Sequence, residues 1–184
     1  MSLQTFNIFI GAGTIAIAFF TIVLVIFRIL MGKNNHIMHL VRENALLIGL
    51  FIGFSAIAGS LGYSEVYQLP PCLFCWWQRI FLYPQVILFA VALYRHGQKS
   101  SAGYDIFHYS TPLAVIGSFT SLYHVFLQQG VIASKGACVQ NGVSCTTIDI
   151  SIFGFLTIPM MALILGIALT LLGALALSKQ NIQK

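Results

Sequence analysis

The sequence predicts an all-α, polytopic membrane protein, and three observations carry that expectation. Of its 184 residues, 58% are hydrophobic and only 7% are charged, whereas soluble domains carry about 25% charged residues. Five apolar windows fall near residues 6–30, 44–63, 77–94, 107–127 and 150–177, each long enough to cross a hydrocarbon core of about 30 Å. The breaks between them are short and polar, so none has room for a second domain, and no internal repeat or low-complexity tract is present.

The first window is expected to be a retained helix. Residues 1–7 hold no basic residue, the apolar run is too long for a signal peptide, and no A-x-A-like cleavage site follows. Its Gly11-Ala12-Gly13-Thr14-Ile15-Ala16 matches the G-x-G-x-x-A dinucleotide pattern, but no βαβ unit surrounds it and no acidic residue stands about 20 positions on. Small residues there, and at Gly49 and Gly53, suit close helix packing in lipid. Pro84, Pro112 and Pro159 fall inside windows and are expected to kink or locally unwind them. The last window exceeds one span, so its first residues are expected to lie along the interface.

The net charge of +5 is spread without a Lys/Arg cluster dense enough for nucleic acid, which excludes that partner. The basic residues read as topogenic instead. Arg28, Lys33, Arg42, Arg95, Lys99, Lys179 and Lys184 flank one side of the spans, against Arg79 and Lys135 on the other, seven to two. The N-terminus is then outside and the C-terminus cytoplasmic. All four cysteines fall outside, where disulfides persist.

Pro70-Pro71-Cys72-Leu73-Phe74-Cys75 leads into the third window. Near a helix start, backbone N–H groups and the dipole lower a thiol pKa, and Cys75 is expected in those opening turns. Arg79 lies four residues beyond Cys75, on the same face one turn deeper. A cation there costs about 2.5–3.5 kcal/mol unless it snorkels or finds a partner, such as a thiolate or the carbonyl of a bound acceptor. Trp76, Trp77 and Tyr83 fit either an aromatic belt or the wall of a site for a planar ring. Cys138 and Cys145 enclose six residues with an Asn141-Gly142 turn signal, in a Gly/Ser/Asn/Thr-rich segment that is expected to be mobile. His124, near the outer end of the fourth window, suits a hydrogen bond to an acceptor, a proton relay or plain packing. Glu65 and Asp149 are given loop roles, and no resident metal is assigned. Four cysteines allow three pairings, and nothing in the spacing chooses among them.

The stretch Pro71-Cys72-Leu73-Phe74-Cys75-Trp76-Trp77-Gln78-Arg79-Ile80, followed by Tyr83-Pro84, resembles the P-C-x-x-C-aromatic-x-x-R signature of the DsbB family of disulfide bond formation proteins. The shorter Gram-positive relatives called BdbC belong to the same likeness. It covers about 44–177 and implies a four-helix transmembrane bundle at 44–178, preceded by an additional N-terminal transmembrane helix with its cytoplasmic loop at 1–43 and followed by a cytoplasmic tail at 179–184.

The resemblance implies a disulfide-forming oxidoreductase of the cell membrane. Such a protein reoxidises a DsbA-like thioredoxin-fold thiol oxidase and passes the electrons to a quinone, ubiquinone or menaquinone, of the membrane pool. Carried over, Cys138 forms the mixed disulfide with that partner and Cys145 resolves it. The electrons move to Cys72 and Cys75, with Cys75 facing the quinone and Arg79 stabilising the thiolate and the reduced ring. His124 and Trp76 are assigned to quinone binding with Arg79. The chain departs from the pattern in its additional first helix and in the close spacing of its second pair.

Two other readings compete. A vitamin K epoxide reductase-like protein shares helices and a CxxC, but its CxxC usually follows the other pair, the reverse of the order here. A structural membrane protein with zinc-bound or static cysteines is the second, and the wide Cys138/Cys145 spacing argues modestly against zinc.

Overall fold

A computed structural model describes residues 2–31, 36–98, 104–133, 138–140 and 143–180. The chain is all-α in class. Its helices are α1 (Leu3–Met31), α2 (His36–Glu43), α3 (Ala45–Leu61), α4 (Leu73–Gln98), α5 (Phe107–Gln128) and α6 (Ile158–Gln180). A π-helical turn, Gly62–Val66, extends α3, and a 3₁₀ turn, Tyr104–Ile106, precedes α5. Two small antiparallel hairpins pair β1 (Val139–Gln140) with β2 (Val143–Ser144), and β3 (Ser151–Ile152) with β4 (Leu156–Thr157). Lys33, Lys99, Lys135, the Asn141-Gly142 turn and the tail beyond Gln180 lie outside the described residues.

Helices α3, α4, α5 and α6 pack in order, α6 closes back on α3, and α1 lies outside this bundle against α6. Leu3–Leu30, Ala45–Val66, Leu73–His96 and Ile158–Ser178 are long and apolar enough to cross a membrane. The fifth expected span, α5, has the length at 22 residues, but Ser110, Ser118, Thr120, Ser121 and His124 make it more polar. Those groups are satisfied internally, as lipid requires. Ser118, Thr120 and Ser121 donate to carbonyls one turn back. Ser110 Oγ donates to Gln85 Oε1 at 2.5 Å while Gln85 Nε2 donates to the Ser110 carbonyl at 3.1 Å, tying α4 to α5.

Packing in lipid rests on close contact rather than on a hydrophobic driving force. The expected small-residue contact is made where α3 meets α4. A Cβ on Gly49 would stand 2.7 Å from the Phe89 ring, and one on Gly53 would stand 3.0 Å from Val86. In α1 the two glycines differ. Gly11 abuts Ile152 of β3, where a Cβ would come to 2.8 Å, whereas Gly13 faces open space with nothing within 4 Å.

Two boundaries differ from the apolar windows. Helix α4 starts at Leu73, ahead of the apolar window at Trp77, so the CxxC itself opens the helix and Cys75 lies in its first turn as expected. Helix α6 starts at Ile158, because 151–157 folds as the β3–β4 hairpin, with Phe153 at φ 55° and Gly154 at φ 80° turning the chain. Ile152 and Leu156 are buried with Tyr63 and Met161 beneath it, so this segment is packed structure rather than interfacial helix. Pro159 then falls in the first turn of α6, where no N–H is missed. Pro84 and Pro112 lie inside α4 and α5, which continue as helix through them.

The bundle has two chemically distinct ends. At one, Phe6 of α1 packs against Tyr63 and Tyr67 at 5.1 Å each, near Cys72 and Cys75. At the other, Arg42 Nη2 donates to Ser178 Oγ at 3.1 Å, and Tyr104 donates to the carbonyls of Arg42 and Glu43. Helix α5 stops at the cysteine end in a glycine C-cap. Gly130, at φ 72°, donates to the Leu127 carbonyl, and Val131 donates to that of Phe126.

Candidate functional site

Pro70 and Pro71 cannot extend a helix backwards, and Cys72 becomes the N-cap of α4. Its sulfur takes the place of a capping oxygen, accepting the Cys75 N–H at 3.3 Å. The backbone stabilisation expected for Cys75 therefore serves Cys72, one turn earlier. The sulfurs of Cys72 and Cys75 are in direct contact, 2.6 Å apart. Cys72, just ahead of the membrane-spanning segment, has its pKa held below the ordinary thiol range. The hydrogen bond with the Cys75 thiol is the main cause and His124 adds to it, together outweighing burial.

Cys138 and Cys145 form a disulfide at the open end of the β1–β2 hairpin, and the Cys145 N–H donates to the Cys138 carbonyl at 3.1 Å. This pair is not on a free outer segment. Both sulfur-bearing residues are buried in one cluster with Cys72, Leu73, Phe74 and Val143.

His124 of α5 stands between the pairs, 1% exposed. Its Nε2 lies 3.2 Å from the Cys145 carbonyl oxygen and 3.7 Å from Cys72 Sγ. Its Nδ1 lies 3.2 Å from the amide nitrogen of buried Gln78. With that amide donating to Nδ1, the ring proton sits on Nε2 and points at the cysteines. Cys72 Sγ, a His124 ring nitrogen and Cys145 Sγ all lie within 4.8 Å of one another. Such spacing suits metal ligation, but the disulfide removes Cys145 from the thiolate ligands while it stands.

Cys72, Cys75 and His124 all line a cavity of about 610 Å³ that opens between α1, α3, α4, α5 and α6. Arg79 lines it, held by two bonds to Ser60, from Nε to Oγ at 2.9 Å and from Nη2 to the carbonyl at 3.2 Å. Its guanidinium carbon sits 5.3 Å from the Trp76 ring centroid. Three buried polar atoms on the lining, Tyr63 Oη, Tyr83 Oη and Gln128 Oε1, have no hydrogen-bond partner among the described residues. Asp149, expected to serve only a loop, lines the same cavity.

The structure thus brings Cys72, Cys75, Cys138, Cys145, His124 and Arg79 together. Trp76 is outside the cavity lining and meets it through Arg79, while Tyr83 lines it directly. Sequence reasoning passed over Gln78, Ser60 and Tyr63. Gln78 was within reach, being three residues beyond Cys75 on one helical face. Ser60 and Tyr63 carry no local signal.

The family profile described as disulfide bond formation protein DsbB matches residues 42–176, which hold all four cysteines. This chain belongs to the DsbB family. It is similar to a probable disulfide formation protein C of Bacillus cereus, 41% identical over 123 residues, or 67% of this chain and 84% of the relative. It is also similar to disulfide bond formation protein C of Bacillus subtilis, 38% identical over 115 residues, covering 61% and 78%. The SPbeta prophage-derived disulfide bond formation protein B of Bacillus subtilis is 36% identical over 145 residues, covering 76% and 93%. No solved structure matches. Family membership and the apolar helices make the chain a multi-pass, disulfide-forming membrane protein, and they leave α1 outside the matched region.

Proposed function

We propose that this DsbB-family chain is a thiol:quinone oxidoreductase of the cell membrane that reoxidises an extracytoplasmic, DsbA-like thioredoxin-fold partner. The observation that carries the reading is the alignment of the Cys138–Cys145 bond, Cys72, Cys75 and the Arg79-lined cavity in one unbroken sequence of contacts.

A partner thiolate attacking Cys138 breaks its bond to Cys145 and frees a Cys145 thiolate. Cys145 then attacks Cys72 of an oxidised Cys72–Cys75 bond and expels Cys75 as thiolate toward the cavity. The partner's second thiol displaces Cys138 to complete the partner's disulfide, and Cys138 regains Cys145 by displacing Cys72. Two electrons and two protons have then passed to Cys72 and Cys75. One disulfide has formed in the partner and one has been lost here.

A bound quinone would supply the two-electron, two-proton sink that lets Cys72 and Cys75 close again. The residues fit such a group. The cavity is walled mainly by apolar side chains, Arg79 brings a fixed cation beside Cys75, and Tyr63 and Tyr83, whose buried hydroxyls have no hydrogen-bond partner among the described residues, stand in the lining. Gln78 holds His124, and His124 keeps a proton at Nε2 where sulfurs exchange.

The test uses the purified protein, a reduced thioredoxin-fold partner and a quinone analogue. Wild-type protein oxidises the partner with quinone consumption, and Cys75→Ser abolishes turnover. Undiminished partner oxidation by Cys75→Ser would overturn the route.

A further inference from the structure

Helix α1 lies beyond the family match and outside the four-helix bundle. It touches the end of α3 near the cysteines, where Phe6 meets Gly62 and a Cβ on Gly59 would stand 3.7 Å from Ile10. Further along, α1 stays against α6 and leaves a trough facing α3. A second cavity of about 670 Å³ occupies that trough. Both cavities are lined by Gly13, Ala16, Ile17 and Phe51, so these residues form the throat between them. The second cavity then follows α1 to Arg28, a rise of about 22 Å from Gly13.

We infer that α1 is the outer wall of a channel for the polyprenyl tail of the electron acceptor, and that Gly13 and Ala16 at its throat decide which tails enter. This rests on the proposed quinone reduction. The occupant follows from continuity. The first cavity has a polar end at Cys75 and Arg79, and the second prolongs it as a long, almost wholly apolar space. A ligand with one redox-active polar end and a long branched hydrocarbon matches both.

Gly13, an exposed position on α1, fits this reading. Gly11 and Gly62 are small because Ile152 and Phe6 press on them, whereas a Cβ on Gly13 would meet nothing within 4 Å. The missing side chain there serves no protein contact. It keeps the throat clear.

The test measures binding by full-length protein in lipid nanodiscs, using quenching of tryptophan fluorescence by two quinones with one headgroup, tailless and long-tailed. With concentrations taken per lipid so that partition into the bilayer cancels, wild type is expected to bind the tailed quinone at least about tenfold more tightly, through packing contacts of the tail along the channel. Gly13→Phe is expected to bring the ratio of the two dissociation constants close to one. Ile22→Phe, on the exposed face of the same helix, is expected to leave the ratio unchanged. An unaltered ratio in Gly13→Phe, or equal affinities in wild type, overturns the channel.

A headless polyprenyl alcohol separates this inference from the functional reading. It is expected to raise the melting temperature of wild type but not of Gly13→Phe. If neither quinone binds yet the alcohol stabilises wild type selectively, quinone reduction fails and the channel stands. If the alcohol stabilises neither protein, the channel falls whatever the quinones do.

Discussion

His124 touches both cysteine pairs, and its proton on Nε2 faces the sulfur that must accept attack and later leave. Folding lowers the Cys72 pKa, so between the folded and unfolded values the native reduced protein holds fewer protons than the unfolded chain. The stabilisation is present above the unfolded thiol pKa and is lost as pH falls through the folded one. Alkylation of Cys72 by iodoacetamide should therefore hold its rate below pH 8, where an ordinary thiol loses about tenfold per unit. His124→Ala should move the midpoint of that profile upward and slow exchange between the pairs. An unmoved profile would make His124 a packing residue. Arg79→Ala should raise the apparent KM for the quinone about tenfold with partner binding retained, the effect of losing a charged hydrogen bond. Ser60→Ala should give a smaller rise in the same direction, because the Ser60 carbonyl still holds Nη2. Quinone dependence unchanged in both would leave Arg79 an interfacial anchor. Cys72, Cys75 and Arg79 were legible because their offsets of three and four fix one helical face. The meeting of His124, Gln78 and Cys145 was not, since it joins residues 21 to 46 positions apart in sequence.

Among the elements, two glycines of similar sequence context respond oppositely to a methyl group. Alanine improves helix propensity by about 0.8–1.0 kcal/mol at either position, but at Gly49 the Cβ would stand 2.7–2.9 Å from three atoms of the buried Phe89 ring. Overpacking of that kind costs about 1–3 kcal/mol and exceeds the propensity gain. Gly49→Ala should lower the melting temperature, and Phe89→Leu in the same chain should recover part of the loss. Gly13→Ala should leave the melting temperature unchanged or raise it. Equal shifts for the two variants would show that α3 and α4 do not approach as described. The spans of α1, α3 and α4 were readable because apolar length alone marks a membrane helix. The start of α6 was not, because Ile150 and Ile152 continue the apolar pattern while Gly154, the one turn signal, sits within it. Helix α2 hid in a segment read as a break, being only eight residues long and half polar.

At the scale of the molecule, four cysteines gather at one end of the bundle, and Arg28, Arg42 and Arg95 lie toward the other. Composition made the fold class legible, since 58% hydrophobic residues leave no soluble alternative. The order in which helices pack depends on side-chain fit between distant segments, and α1's place beside α6 carried no sequence signal. The unequal ends bear on orientation, because positive residues near the spans hold their side in the cytoplasm. A phosphatase reporter that matures only outside should be active when fused after Gln129, beside the cysteine loop, and inactive when fused after Gln98. Burial gives this expectation a second lever. Arg42 is 7% exposed, and its Nε has no partner among the described residues. Its pKa is lowered first by burial and then by Arg28, and the guanidinium keeps its charge. Arg42→Leu should therefore cost little stability while weakening the topogenic signal, and orientation should hold through Arg28, Lys33, Arg95 and Lys99. Reporter activity after Gln98 instead would place all four thiols in the reducing cytosol, where the Cys138–Cys145 bond would not persist and the proposed relay could not be recharged.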